Sequence, residues 1–183
     1  MKEHRRALTI LHQLEDLLKS LRQPTDKLKL KIAKCYVSLQ DHAAAIKELR
    51  SIPSKLRSCQ VNVLLGRLLK VSGQKEQAAA CLKAAVKELP VAAELIEDLV
   101  DLGMNEHEVE GFYETSDSSS EFGKGLFVSL SARRDSDFVR CIESFEALNA
   151  KHPNHPLIMG ELSMSLVQAD RPQMVSILVK FHS

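Results

Sequence analysis

The sequence predicts an all-α fold, a right-handed superhelical solenoid built from antiparallel helix pairs. Three observations predict it. First, a large-small-x-x-large group recurs at Ile32-Ala33-Tyr36, Leu65-Gly66-Leu69, Val128-Ser129-Ala132 and Leu162-Ser163-Leu166, with its small residue offset by 33, 63 and 34 positions. Second, each group is followed at the same gap of nine by a small or branched residue (36 to 45, 69 to 78, 132 to 141, 166 to 175), and four residues later by a large one. Third, glycine and proline fall where such helices must stop: Ser72-Gly73-Gln74 suits a left-handed C-cap, and Pro90 and Pro153 lie eight residues after Leu82 and Phe145. The interval of 63 leaves room for one shortened extra copy.

The elements follow in order. Apolar periodicity and breakers place helices near 5–22, 26–40, 42–52, 57–71, 75–88, 92–102, 106–113, 122–133, 136–151, 156–169 and 172–181. The first carries Ala7, Leu11 and Leu14 at the intervals of a second helix with no first helix before it. Leu28, Ile32, Tyr36 and Leu39 give the next its packing face, as Val61, Leu65, Leu68 and Leu69 do one copy later. Ile52-Pro53-Ser54 cuts the first complete unit short. Thr115 to Glu121 reads as a polar loop, in which Ser118 has the acidic neighbours of a phosphosite or belongs to a solvated connector. Pro172 is tolerable near a helix start, where its missing N–H has no intrahelical partner. The resulting organisation is 1–23, the second helix of an incomplete repeat; 26–114, repeats of which the last is degenerate; 115–121, a serine-rich loop; and 122–183, two further repeats, the last cut short. Both ends read as cuts through repeats, so the chain is expected to be part of a longer array.

A period near 34 with this layout is that of the tetratricopeptide repeat, in which one copy cannot bury its apolar face alone. The packing residues are then Ala33, Tyr36, Ala45, Gly66, Ala78, Leu82, Cys141 and Phe145. Small side chains at Ala33, Gly66 and Ser129, faced by Ala45, Ala78 and Cys141, let helix axes close to about 8–10 Å.

Charge and cysteine usage exclude several classes. Lysine plus arginine (25) against aspartate plus glutamate (24) leaves +1, which does not point to nucleic acid. No apolar run approaches the ~18 residues of a membrane span, and the N-terminus lacks the apolar region of a secretory signal. Cys35, Cys59, Cys81 and Cys141 form no CxxC pair, and a reducing compartment, nucleus and cytoplasm, is expected. There is no glycine-rich phosphate loop, GxSxG or HExxH, so no catalytic residue, cofactor or metal is assigned. His152 and His155 stand three apart, but Pro153 and Pro156 are expected to keep their imidazoles off one helical face. Glu94, Glu97, Asp98 and Asp101 read as a solvated face. One charged set suits a partner: Lys27, Lys31 and Lys34 oppose the Ile32/Tyr36 packing side, Arg67 repeats Lys34 at an offset of 33, and Lys70 follows. Lys27, Lys34, Arg67 and Lys70 thus form a candidate basic groove for an acidic segment, or else a merely solvated face.

Lys34-Cys35-Tyr36-Val37-Ser38-Leu39, Ala45-Ile46, Ser51-Ile52-Pro53-Ser54 and Leu64-Leu65-Gly66-Arg67-Leu68-Leu69 resemble the family of subunit seven of the anaphase-promoting complex, or cyclosome. The likeness is clear over about residues 28–100 and weaker over 122–182. It implies a non-catalytic scaffold in a ubiquitin ligase of mitotic exit, stacked on sister tetratricopeptide subunits, chiefly cell division cycle protein 27. It also implies a homodimer formed through N-terminal repeats largely missing here. A trafficking, motor or chaperone adaptor is the alternative; a carboxylate clamp of the chaperone kind lacks its asparagine beside Lys34.

Overall fold

The structure, a computed structural model, describes residues 2–111, 113 and 118–170. Among them lie ten α-helices: α1 (Lys2–Ser20), α2 (Asp26–Ser38), α3 (His42–Arg50), α4 (Cys59–Val71), α5 (Lys75–Glu88), α6 (Ala93–Asp101), α7 (Glu106–Glu110), α8 (Ser118–Arg134), α9 (Phe138–Lys151) and α10 (Pro156–Gln168). The fold is all-α and tetratricopeptide-like. The predicted helix at 172–181, with Pro172, Val175 and Val179, lies outside the described residues.

The repeat register is written into the backbone. Gln40, Gly73, Gly103, Ser136 and Asp170 all adopt positive φ (63°, 77°, 81°, 60° and 58°), each just after the first helix of a pair. Behind four of these turns the next amide donates back five residues: Asp41 to Tyr36 (2.9 Å), Gln74 to Leu69 (2.9 Å), Met104 to Leu99 (3.4 Å) and Asp137 to Ala132 (2.9 Å). That bond closes a helix end whose carbonyls would otherwise be orphaned. Intervals of 33, 30, 33 and 34 between the left-handed residues identify α6–α7 as the shortened copy within the 63-residue gap. Next, Asp41 and Asp137 cap the second helices, accepting from Ala44 N (3.0 Å) and Arg140 N (3.1 Å). Asn105 and Glu108 form a capping box on α7.

Two compact units result, residues 1–85 and 86–183, a boundary inside α5 that the sequence reading does not draw. In the first, α2 lies between α1 and α3, and α3 meets α4. Ala33, Ala45, Leu49, Ala78 and Leu82 are fully buried. A β-carbon at Gly66 would stand 2.8 Å from Leu82 Cγ and 3.4 Å from the Ala78 carbonyl, so α4 and α5 meet at that glycine. Arg57 fastens the junction between pairs, its Nε donating to the Ile52 carbonyl (2.9 Å) and its Nη2 to that of Arg50 (3.3 Å). The predicted helix over 42–52 therefore ends at Arg50, and Ser54–Leu56 form a single 3₁₀ turn.

In the second unit α8 is central, against α6, α7 and α9, while α9 also packs on α10. Phe127, Phe145, Leu126 and Ile158 form its core. Tyr113 Oη donates to the Pro90 carbonyl (3.2 Å), and burial pushes that phenol up to about 12. A β-carbon at Gly123 would meet the same carbonyl and stand 2.5 Å from Tyr113 Oη.

Three expectations need correction. The serine loop is shorter than 115–121: Ser118 to Glu121 form the first turn of α8, because Ser120 and Phe122 are buried against the unit and that burial overrides loop composition. The predicted 106–113 helix stops at Glu110. Ser163 is only half-buried; Ser165 supplies the buried small residue of α10, its Oγ 3.2 Å from Cys141 Sγ.

Truncating Leu82 or Phe145 to alanine should cost roughly 2–5 kcal/mol each in urea denaturation, because neither cavity can collapse onto helices pinned by their neighbours. A loss below about 0.5 kcal/mol at both sites would contradict the packing described, that being the range of surface changes.

Candidate functional site

Ala33, Ala45, Ala78, Leu82, Cys141 and Phe145 show no exposure, and Gly66 is buried beside Leu82. Tyr36 differs. It is half-buried, and its hydroxyl lies 3.1 Å from His12 Nε2, so it joins α2 to α1 rather than only filling a pair. The four cysteines are free thiols, and burial pushes those of Cys81 and Cys141 up.

The basic set divides by environment. Lys27, Lys31 and Lys34 are exposed along α2. Arg67 and Lys70 on α4 are half-buried and already engaged within the chain. Among the described residues the three α2 lysines stand along one helix with no ion-pair partner, whereas Arg67 and Lys70 do not join them as free cations.

The sequence reading missed an apolar stripe on α1. Ile10, Leu14 and Leu17 along α1, and Leu21 just beyond its end, are 64%, 41%, 56% and 60% exposed. Their spacing of four, three and four puts them on one side of the helix. Leu8, Leu11 and Leu18 pack on Leu28, Ile32, Tyr36 and Leu39 of the next helix and its end. The signal was present as two apolar stripes on one helix. Reading Ala7, Leu11 and Leu14 as a single face concealed it.

The covered side of α1 also carries a polar group. Glu15, buried, accepts from Lys19 Nζ (2.8 Å) and lies 3.6 Å from His12 Nδ1. Burying a carboxylate requires such partners, since an unpaired buried charge is costly.

In the second unit, an open cleft of about 460 Å³ is lined by Glu97, Asp101, Arg133, Arg134 and Phe138 among others. Arg133 pairs with Glu161, and Arg134 with Asp135 (2.8 Å) and the Val100 carbonyl (2.7 Å), so its cations are spoken for within the fold. Glu94, Asp98 and Asp101 are likewise engaged, not merely solvated. His152 and His155 flank the break between α9 and α10 and so, as expected, share no helical face, although both rings contact Phe122, at 5.2 and 5.1 Å between centroids. The chain turns at Asn154, and α10 starts at Pro156, which carries the second imidazole back over the same ring. Among the described residues no three His, Cys, Asp or Glu side chains gather as metal ligands, and no helix is long and apolar enough to cross a membrane.

No protein-family model matches the chain. Human anaphase-promoting complex subunit 7 is 32% identical over 83 residues, 45% of this chain and 15% of that protein. The subunit 7 of Arabidopsis thaliana is 30% identical over 97 residues, covering 52% and 17%. That of Dictyostelium discoideum is 34% identical over 86 residues, covering 45% and 15%. The matched stretch is thus about half of this chain and about a sixth of those relatives. Among solved structures, MamA AMB-1 aligns over 85% of this chain and 86% of its own at 14% identity and a TM-score of 0.41, too loose a superposition to bear on the fold.

The Glu15 carboxylate gives the α1–α2 contact a pH dependence. Burial raises its pKa, but the hydrogen bond and charge of Lys19, with Lys29 and His12, overcome that and hold it below its ordinary value. A carboxylate lowered on folding stabilises fully above its unfolded value, and that contribution is lost as pH falls through the folded one. Below about pH 4, α1 amides should lose hydrogen-exchange protection before those of α3 and α4. Glu15→Gln should remove that acid step. An acid step of the same size in the variant would assign it to other groups.

Proposed function

We propose that this chain is a non-catalytic scaffold of the anaphase-promoting complex, a ubiquitin ligase controlling mitotic progression, and that it acts by stacking its helix pairs on sister tetratricopeptide subunits. The observation that carries the reading is that relatives from an animal, a plant and an amoeba, matched at 30–34% identity, bear one and the same subunit name. The α1 stripe supports it. Four large apolar side chains left open on one side of a helix are the complement of another helix's apolar face, and contiguous apolar surface of this kind marks protein contacts. Cell division cycle protein 27 is the sister subunit we expect beside it, together with a second copy where further N-terminal repeats are present. The work of such a subunit lies in the nucleus and cytoplasm, and ubiquitin transfer belongs to other members of the assembly.

Affinity purification of the tagged chain from mitotic cells should recover cyclosome subunits. Leu14→Asp with Leu17→Asp should cut that recovery about tenfold or more, since buried contact area is exchanged for unpaired charge, while helical content stays unchanged because both side chains point outward. Recovery of kinesin, vesicle-coat or heat-shock partners without any cyclosome subunit would replace this reading with that of an adaptor.

A further inference from the structure

Helix α2 carries Lys27, Lys31 and Lys34 at intervals of four and three, all exposed. The two intervals put three ammonium groups on one side of the helix, about 6 and 4.5 Å apart along the axis. Among the described residues none of the three has a carboxylate at ion-pair distance, although other cations nearby are engaged: Lys19 with Glu15, and Lys29 with the Ser51 carbonyl at 3.5 Å. The arrangement opposes helix stability twice. Like charges at these intervals repel, and Lys27 sits in the first turn, where the helix dipole disfavours a cation. A surface that holds uncompensated repulsion in the isolated chain is relieved by an anionic partner.

We infer that this edge of α2 is a docking strip for an acidic peptide segment of a partner subunit, read by Lys27, Lys31 and Lys34. The inference rests on the scaffold reading above and adds to it the chemistry of one partner. A strip about 10 Å long matches three or four residues of extended chain and hence two or three side-chain carboxylates. It is short for a nucleic-acid backbone, which needs many phosphate contacts to bind at physiological salt. Base stacking also lacks its platform, because Tyr36 is half-buried with its hydroxyl on His12.

The test titrates the purified chain with a short fluorescent glutamate-rich peptide and, separately, with single-stranded DNA at the same salt. The peptide should bind, more weakly as salt rises. The triple variant Lys27→Glu, Lys31→Glu, Lys34→Glu should lose affinity about tenfold or more, with a flatter salt dependence. Lys47→Glu, Lys55→Glu, Lys75→Glu makes the same change in net charge at exposed sites elsewhere and should lose far less. If the first variant loses helicity, glutamine at the same three positions replaces it. No peptide binding by the wild-type chain, equal loss in both triple variants, or tighter binding of DNA than of peptide would each overturn the inference. Cyclosome recovery in the purification experiment stands or falls separately, so failure of the strip and failure of the scaffold reading are distinguishable.

Discussion

At Gly66, α4 approaches α5 so closely that one added β-carbon would stand 2.8 Å from Leu82 Cγ. The first unit depends on that approach. It lets Leu82 and Ala78 lie fully buried against α4, and it holds Leu65 and Leu69 in the same core. Ala33 with Ala45 repeats the device one pair earlier, and in the second unit Ser129, Cys141 and Ser165 repeat it with polar or soft atoms. Where the small residue is a serine, its hydroxyl must find a bond inside the helix: Ser129 Oγ donates to the Gly125 carbonyl at 2.9 Å and Ser165 Oγ to that of Glu161 at 2.8 Å. Small volume and satisfied polarity together keep the helices close.

Close helices also need a turn that delivers the second back onto the first. A left-handed residue followed by an amide that bonds back five residues does this at four copies, and among the left-handed residues that follow the first helix of a pair only those at positions 73 and 103 are glycine. Gln40, Ser136 and Asp170 bear the strain of positive φ with side chains in place. The return bonds and the aspartate caps of α3 and α9 offset it by satisfying helix ends.

The repeat was legible because its packing groups keep one spacing, and spacing survives where identity does not. Gly73, Ala33, Ala45 and Leu82 each announced its place. What was not legible depended on partners distant in sequence. Gly123 is small because the Pro90 carbonyl and Tyr113 hydroxyl occupy the space a side chain would take. Ser118 to Ser120 are helical although their composition reads as loop. Arg67 matched Lys34 in register yet is engaged within the fold, since a register position fixes a face and not what lies across it. The α1 stripe was visible in the letters, but only the contacts with α2 tell which of two apolar faces is covered.

The chain thus presents two unlike surfaces of one unit, an apolar stripe on α1 and a basic edge on α2, both held in place by the helix contacts beneath them. The measurement that tests this account most directly is a double-mutant cycle at its tightest contact. Gly66→Ala alone should cost roughly 1–3 kcal/mol through overpacking, and Leu82→Ala alone empties the space that the new methyl group invades. The account predicts strong coupling: with Leu82 already truncated, Gly66→Ala should cost little or nothing, or should stabilise by filling the cavity. Additive losses, within about 0.3–0.5 kcal/mol as for sites that share no partner, would contradict a fold that rests on helices closing at that glycine.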